Sequence, residues 1–248
     1  MNRILAIFLV ISSCYIKAMA ADGVVGEAEA GLVVVSGNSK SESTSAKAKT
    51  TYALGLDSYT AGASYLRTKS QLTGATSQTE TARAWDAGLR YERSISDRIS
   101  AFLGQKAESN EYAGYVQRDS TDLGLKYFFT KDETKTGFAE LGARSTKTNT
   151  PNVLPATTND VSYTSYTRIY GEWSHQVEKT WSYKLWVEYL PNNKDSDAYQ
   201  LNHEASLSVM MSQMFSLKSA YLTKYQNKVA TGIERTDAIL TTSLVAKF

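Results

Sequence analysis

A nucleophilic serine needs a base beside it, and His175 and His203 are the two histidines this chain offers. His203 sits in a run of strict two-residue alternation whose parity turns it outward, near one rim. A serine next to it on that surface could attack a lipid ester, with the imidazole taking its proton. Ser219 shares the outward parity but stands displaced along the neighbouring run, and no His-x-Ser pattern accompanies it. His175 lies beside a tight turn with no serine or carboxylate arranged as a triad, and reads as an interfacial polar residue. No catalytic set emerges, and a lipid-acting hydrolase built on His203 ranks third among the functional readings.

Metal and cofactor chemistry have less to stand on. Asp132-Glu133 and the Asp195, Asp197 pair are short acidic turns, more simply solvated than ligating. The chain has one cysteine, Cys14, and no glycine-rich phosphate loop, so no metal and no cofactor is expected. Gly88, Gly124 and Gly142 fall inside alternating runs, where they read as bends or close packing.

The first twenty residues look like an export leader. Asn2-Arg3 precedes the apolar run Ile4 to Ile11, and Ala18-Met19-Ala20 supplies a small-x-small site, so cleavage is expected after Ala20. Ile11-Ser12-Ser13-Cys14 loosely resembles a lipoprotein box and keeps lipidation of Cys14 open as the minor alternative. Loss of the leader removes Arg3 and Lys17, taking Lys plus Arg from 27 to 25 against 25 Asp plus Glu. A balanced chain gives no electrostatic case for nucleic acid. Beyond Ala20 no apolar stretch is long enough for a spanning helix, which excludes a helical membrane protein.

What remains is alternation. Tyr199, Leu201, His203, Ala205, Leu207, Val209 and Met211 share one face, against Gln200, Asn202, Glu204, Ser206 and Ser208. The same split recurs along the chain, with Thr242 a polar exception on the outward face of the last run. Turn chemistry between the runs predicts about twelve strands: 25–36, 41–55, 58–71, 78–93, 98–110, 113–129, 134–148, 160–175, 179–190, 197–211, 214–229 and 235–248. These runs are much longer than strands of soluble sheets, and an even count suits a closed barrel. Tight turns at Gly55–Ser58, Ser94–Asp97, Lys131–Glu133, Gln176–Glu178 and Ser212-Gln213 alternate with mostly longer connections. Gly37 to Lys40 is short for its place in that alternation. Tyr52, Tyr59, Tyr91, Tyr127, Trp173, Trp181 and Phe215 fall near the tight-turn end. Tyr65, Tyr163, Tyr189, Tyr199 and Tyr225 fall near the other, as two interfacial girdles would. The expected fold is therefore all-β: residues 21–248 as a single antiparallel transmembrane β-barrel with short periplasmic turns and longer external loops.

That parity sends a set of charges inward: Asp86, Arg90, Glu92, Lys106, Glu108, Asp122, Lys126, Glu140, Arg144, Arg168, Glu172, Lys184, Glu188, Glu204, Lys218 and Lys224. Either they pair and plug the interior, or they line a hydrated passage and set ion preference. Mixed signs favour weak selectivity in the second case.

Gly31-Leu32-Val33-Val34-Val35-Ser36-Gly37-Asn38-Ser39, Tyr91 to Arg98, Asp119 to Tyr127 and the closing Asp237 to Phe248 resemble, in order and spacing, the family catalogued as domain of unknown function 481. Many of its members carry the label of salt-induced outer-membrane proteins. The resemblance covers nearly the whole mature chain and implies an outer-membrane barrel without an assigned activity. The terminal Phe248, preceded by alternating apolar residues, is similar to the signal read by the barrel-assembly machinery. Outer-membrane lipid, that machinery and periplasmic chaperones are thus the expected partners. A small, weakly selective pore is the leading reading, and a plugged barrel serving envelope integrity or osmotic stress comes second. On intact cells, surface protease should cut first within Asn149 to Asp160; cutting confined to the tight turns would mean the inverse orientation.

Overall fold

The computed structural model describes residues 23–35, 41–71, 77–150, 160–229 and 234–248. The expected leader with Cys14 and Ala20, residues 36–40 and residues 151–159 lie outside them. The strands are β1 (Val24–Val35), β2 (Ser41–Leu54), β3 (Asp57–Ser70), β4 (Thr79–Ser94), β5 (Ile99–Asn110), β6 (Tyr115–Lys131), β7 (Lys135–Thr150), β8 (Asp160–Glu178), β9 (Trp181–Leu190), β10 (Gln200–Met210), β11 (Phe215–Gln226) and β12 (Thr236–Lys247). Each pairs antiparallel with its sequence neighbours, and β12 returns to β1, so the sheet is the closed twelve-strand barrel that the alternation predicts. Closure leaves no free sheet edge along most of the wall.

Side-chain acceptors fix several tight turns. Ser96 Oγ accepts the N–H of Arg98 and Ile99, and Ser212 Oγ accepts that of Phe215. Asp132 Oδ1 accepts the N–H of Lys135 (2.6 Å) and Thr134 (3.0 Å), which holds its carboxyl below the ordinary range. Gly55 takes the left-handed φ (60°) that the two-residue β2–β3 turn requires. The turn read at Gln176–Glu178 lies instead inside β8: the ladder with β9 slips between Gln176 and Glu178, and Lys179-Thr180 makes the turn. Gln176 Nε2 donates to the carbonyls of Glu178 (2.5 Å) and Trp181 (3.1 Å), stabilising that bulge.

The wall has two unlike faces. Outward residues are apolar and exposed, with Leu89, Leu123, Leu141 and Leu240 between 62% and 69% accessible. At the tight-turn end the rings of Tyr52, Tyr59 and Tyr91 follow one another at 6.4 and 5.3 Å, and Phe129 stacks on Trp173 at 6.2 Å. At the other end Tyr189, Tyr199 and Tyr225 do the same at 5.7 and 5.8 Å. Most inward residues are small, hydroxylic or charged, and an aromatic row of Phe128, Phe138, Tyr170 and Trp186 runs among them at 5.5 to 6.0 Å. Twelve strands about 4.8 Å apart, tilted near 40°, enclose a backbone radius of roughly 12 Å. Side chains from one wall can fill a sector of such an interior without bridging it.

One sector is filled around Phe102, which is 2% exposed. Its ring lies over Gly124, where a Cβ would come 2.8 Å from Phe102 Cζ and 2.5 Å from the Leu141 carbonyl. Gly124→Val should therefore destabilise by about 1–3 kcal/mol and lower the temperature at which the folded gel band converts to the unfolded one. Gly62→Ala, whose new Cβ meets nothing closer than 3.5 Å, should leave that temperature unchanged.

Candidate functional site

The inward charges of β4, β6, β7, β8 and β9 come together in one cluster. Glu140, whose side chain is 2% exposed, receives Arg168 at 2.5 Å, Arg90 at 2.7 Å and Lys126 at 3.8 Å. Arg168 also reaches Glu188 (2.7 Å) and Asp122 (3.7 Å), while Arg144 bridges Asp122 (2.6 Å) and Glu188 (3.0 Å). Glu92 closes the chain with Lys126 at 2.7 Å and Arg90 at 3.0 Å. The Arg90 guanidinium lies over the Phe102 ring, 3.9 Å from its centroid. Four acids (Glu92, Asp122, Glu140, Glu188) thus meet four bases (Arg90, Lys126, Arg144, Arg168), and the cluster is neutral. Removing a charge from water costs several kcal/mol unless it is paired, and here each member has at least two partners.

Towards the long-loop end the cluster floors a vestibule. A cavity of about 120 Å³ lies there, lined by Lys106, Glu108, Tyr115, Arg118, Asn202 and Lys224 among others, with Arg144 and Glu188 below. Glu108 holds Lys106 at 2.7 Å and Arg118 at 3.5 Å, and Arg118 covers the Tyr115 ring. A second cavity of about 180 Å³ continues outward past Thr148, Thr164 and Tyr199. The β9–β10 connection continues along β8 at this end of the wall. Asn193 Oδ1 accepts from Thr167 Oγ1, and Asp195 pairs with Lys228 at 2.6 Å, a contact that holds the Asp195 carboxyl below its ordinary range.

The rest of the interior is different. On β10, β11 and β12 the inward positions include Ser206, Ser216, Ala220 and Ser243, and on β2 and β3 Ser43, Ser45, Thr60, Gly62 and Ser64. Lys218 pairs with Glu29 at 2.9 Å, and Lys184 with Glu172 at 3.7 Å. Glu204 faces the same way with no ion pair within 4 Å among the described residues. The alignment Glu27–Lys49–Gly62–Gly88–Lys106 around β1 to β5 places Lys49 inside the wall, and Glu29–Lys47–Ser64–Asp86 places Lys47 beside it. Both lysines are nevertheless exposed, so that side of the interior is open to water.

Glu27, Glu29, Lys47 and Lys49 are absent from the inward set read from the sequence. That reading followed large apolar residues, whereas β1 and β2 face outward with alanines (Ala28, Ala30, Ala46, Ala48). The polar-alanine alternation was the available signal. His203 faces outward opposite Thr223 and Val187, while Ser219 lies opposite Leu207, four positions along the ladder. At about 3.4 Å per residue, that separation is too great for proton transfer. His175 instead meets the Tyr183 ring edge-on at 5.5 Å. Phe248 ends the chain against β1, its carbonyl accepting Gly26 N–H (2.7 Å) and its N–H donating to Gly26 O (3.0 Å).

Glu140→Ala would leave three cations facing an emptied position, and should cost about 3–5 kcal/mol in urea unfolding. Lys184→Ala removes a half-exposed partner and should cost less than about 1 kcal/mol in the same titration.

The chain resembles several solved barrels. The translocator domain of the autotransporter NalP from Neisseria meningitidis shares 10% identity over 93% of this chain and 90% of its own, with a TM-score of 0.49. An outer membrane channel from Pseudomonas putida F1 shares 12% over 91% and 95%, also at 0.49. The NanC porin shares 10% over 90% and 97%, at 0.46. No curated protein matches the sequence. The family profile described as "Protein of unknown function, DUF481" matches residues 28–248, and the chain belongs to that family.

Proposed function

We propose that this protein is an outer-membrane barrel that passes small hydrophilic solutes with weak charge preference. Membrane residence is supported by the outward face: exposed Leu, Val and Tyr residues form a band bordered by two aromatic rows, a surface that water would not tolerate and lipid would. The leader at residues 1–20 and the terminal Phe248 fit export and delivery to the assembly machinery.

One observation carries the pore reading: the ion-paired cluster occupies the β4–β9 side, while Lys47 and Lys49 stand solvent-exposed on the other side of the same interior. Such a lumen is narrowed without being sealed. Weak selectivity follows from arithmetic of sign. Outside the neutral cluster the inward charges are again of both signs, among them Glu27, Glu29, Asp86, Glu108, Glu172 and Glu204 with Lys47, Lys49, Lys106, Lys184, Lys218 and Lys224. The second reading, a plugged barrel that stiffens the envelope, is favoured by the same cluster if its side chains close the remaining path.

Refolded protein in a planar bilayer should give stable unitary steps with a cation-to-anion permeability ratio near unity. Replacing Lys47 and Lys49 together by Glu should shift the reversal potential toward cations. Lys131→Glu, at the exposed tight-turn end of β6, should shift it far less. Silence from protein whose band shifts on heating would support the plugged barrel.

A further inference from the structure

The wall is not equally well closed all round. Eleven of the twelve strand pairs are joined over 9 to 16 residue pairs, from β8–β9 (9) to β7–β8 (16). The β1–β12 ladder has four, Glu27–Lys247 to Ala30–Leu244, extended only by the Gly26–Phe248 bonds below them. Past Ala30, Gly31–Val35 stay paired with β2 and Thr236–Ser243 with β11, but not with each other. Gly31 marks the fork: a Cβ there would come 2.9 Å from the Thr242 carbonyl and 2.5 Å from Ser45 Oγ. Among the described residues, two rows of backbone donors and acceptors therefore face one another without ladder partners, in the half of the wall nearest the long loops. Lipid cannot satisfy such groups, so the gap is not simply hydrocarbon-filled wall.

Apolar side chains point inward at this gap, beside the hydroxyls of Thr241 and Ser243. Val33, 45% exposed, points inward from β1; Ile239 and its cross-strand neighbour Leu222 point inward from β12 and β11. Leu32 and Leu240 stand on the outer face of the same two strands, 50% and 69% exposed. An apolar track thus runs from inside to outside where the ladder is missing. Its inner end borders Lys224 and Asp237, which line the 120 Å³ vestibule.

We propose that the upper β1–β12 seam is a lateral port for a single-chain amphiphile, a fatty-acid-like molecule whose polar head stays in the vestibule while its acyl chain passes between Val33 and Ile239 into the surrounding lipid. The port rests on the reading of the barrel as membrane-embedded, and it adds a lateral route to the axial one. Water alone would satisfy the backbone edges but would not call for apolar residues on both faces. A peptide strand would satisfy the edges, yet it needs no polar vestibule beside them.

A dodecanoate carrying a diazirine at its chain end, irradiated with the refolded barrel in lipid, tests this by mapping the labelled residues. Labels are expected on inward Val33, Ile239 and Leu222 as well as on the outer face. Because Cys14 lies in the expected leader, L32C/T242C supplies the only thiols of the mature chain. Its oxidation should abolish the inward labels, and reduction should restore them. A V33D/I239D variant, which charges the track without a staple, should lose inward labelling while keeping its heat-dependent gel shift. Labelling restricted to outward residues, or inward labelling indifferent to both staple and charges, would overturn the port. Ionic conductance recorded on the same preparations separates the two proposals: its absence would count against the axial pore and leave the labelling result standing.

Discussion

A charge enclosed by this barrel must be either paired or wet, and that requirement divides the molecule. Twelve strands enclose a space too wide for one wall's side chains to bridge. Long cations and carboxylates therefore gather on one sector, β4 to β9, where each reaches several partners. Phe102, lying on the flat patch provided by Gly124, gives that cluster an apolar bed. The remaining sector has small hydroxyl side chains; Lys218 pairs there with Glu29, while Lys47 and Lys49 stand in water. Position of charge, strand number and glycine placement are thus one problem with one solution.

The same constraint explains which parts of the molecule sequence reasoning reached. Period-two alternation of large residues in β9, β10 and β11 left little freedom, since a one-residue slip would turn Leu185 or Leu207 inward and Glu188 or Glu204 into the outer face. Strand order and closure followed from that pattern and from the turns. Around Lys47 and Lys49 the outward residues of β1 and β2 are alanines, too small to announce a face, so these lysines were not legible by the same rule. The Gln176–Glu178 bulge escaped because polar residues that favour a turn also stabilise a bulge through side-chain bonds to the backbone. Which acid pairs with which base was not legible at all, because Arg90 and Glu140 lie three strands and fifty residues apart. Only the three-dimensional tilt of the strands brings them level.

The interior and the seam, rather than the fold, are where a function is proposed. A closed antiparallel barrel is compatible with a channel, a plug or an enzyme on its rim. Here the histidine that could have served a hydrolase stands four ladder positions from the serine that shares its face, whereas the charges converge. Convergence without complete filling is what distinguishes a constricted passage from a packed core. The short β1–β12 ladder adds a second discontinuity, held at its base by the final residue of the chain, Phe248, bonded to Gly26.

The divided interior is tested most directly by thiol reactivity in the folded barrel. With a charged, membrane-impermeant methanethiosulfonate, a cysteine at Lys49 should react at close to the rate of an exposed thiol. One at Ser120, 7% exposed on the cluster side and hydrogen-bonded to Thr146, should react slower by orders of magnitude. Equal, fast reaction at both positions would mean an evenly open lumen. Equal protection of both would mean a plug, and either result would contradict a barrel sealed on one side and wet on the other.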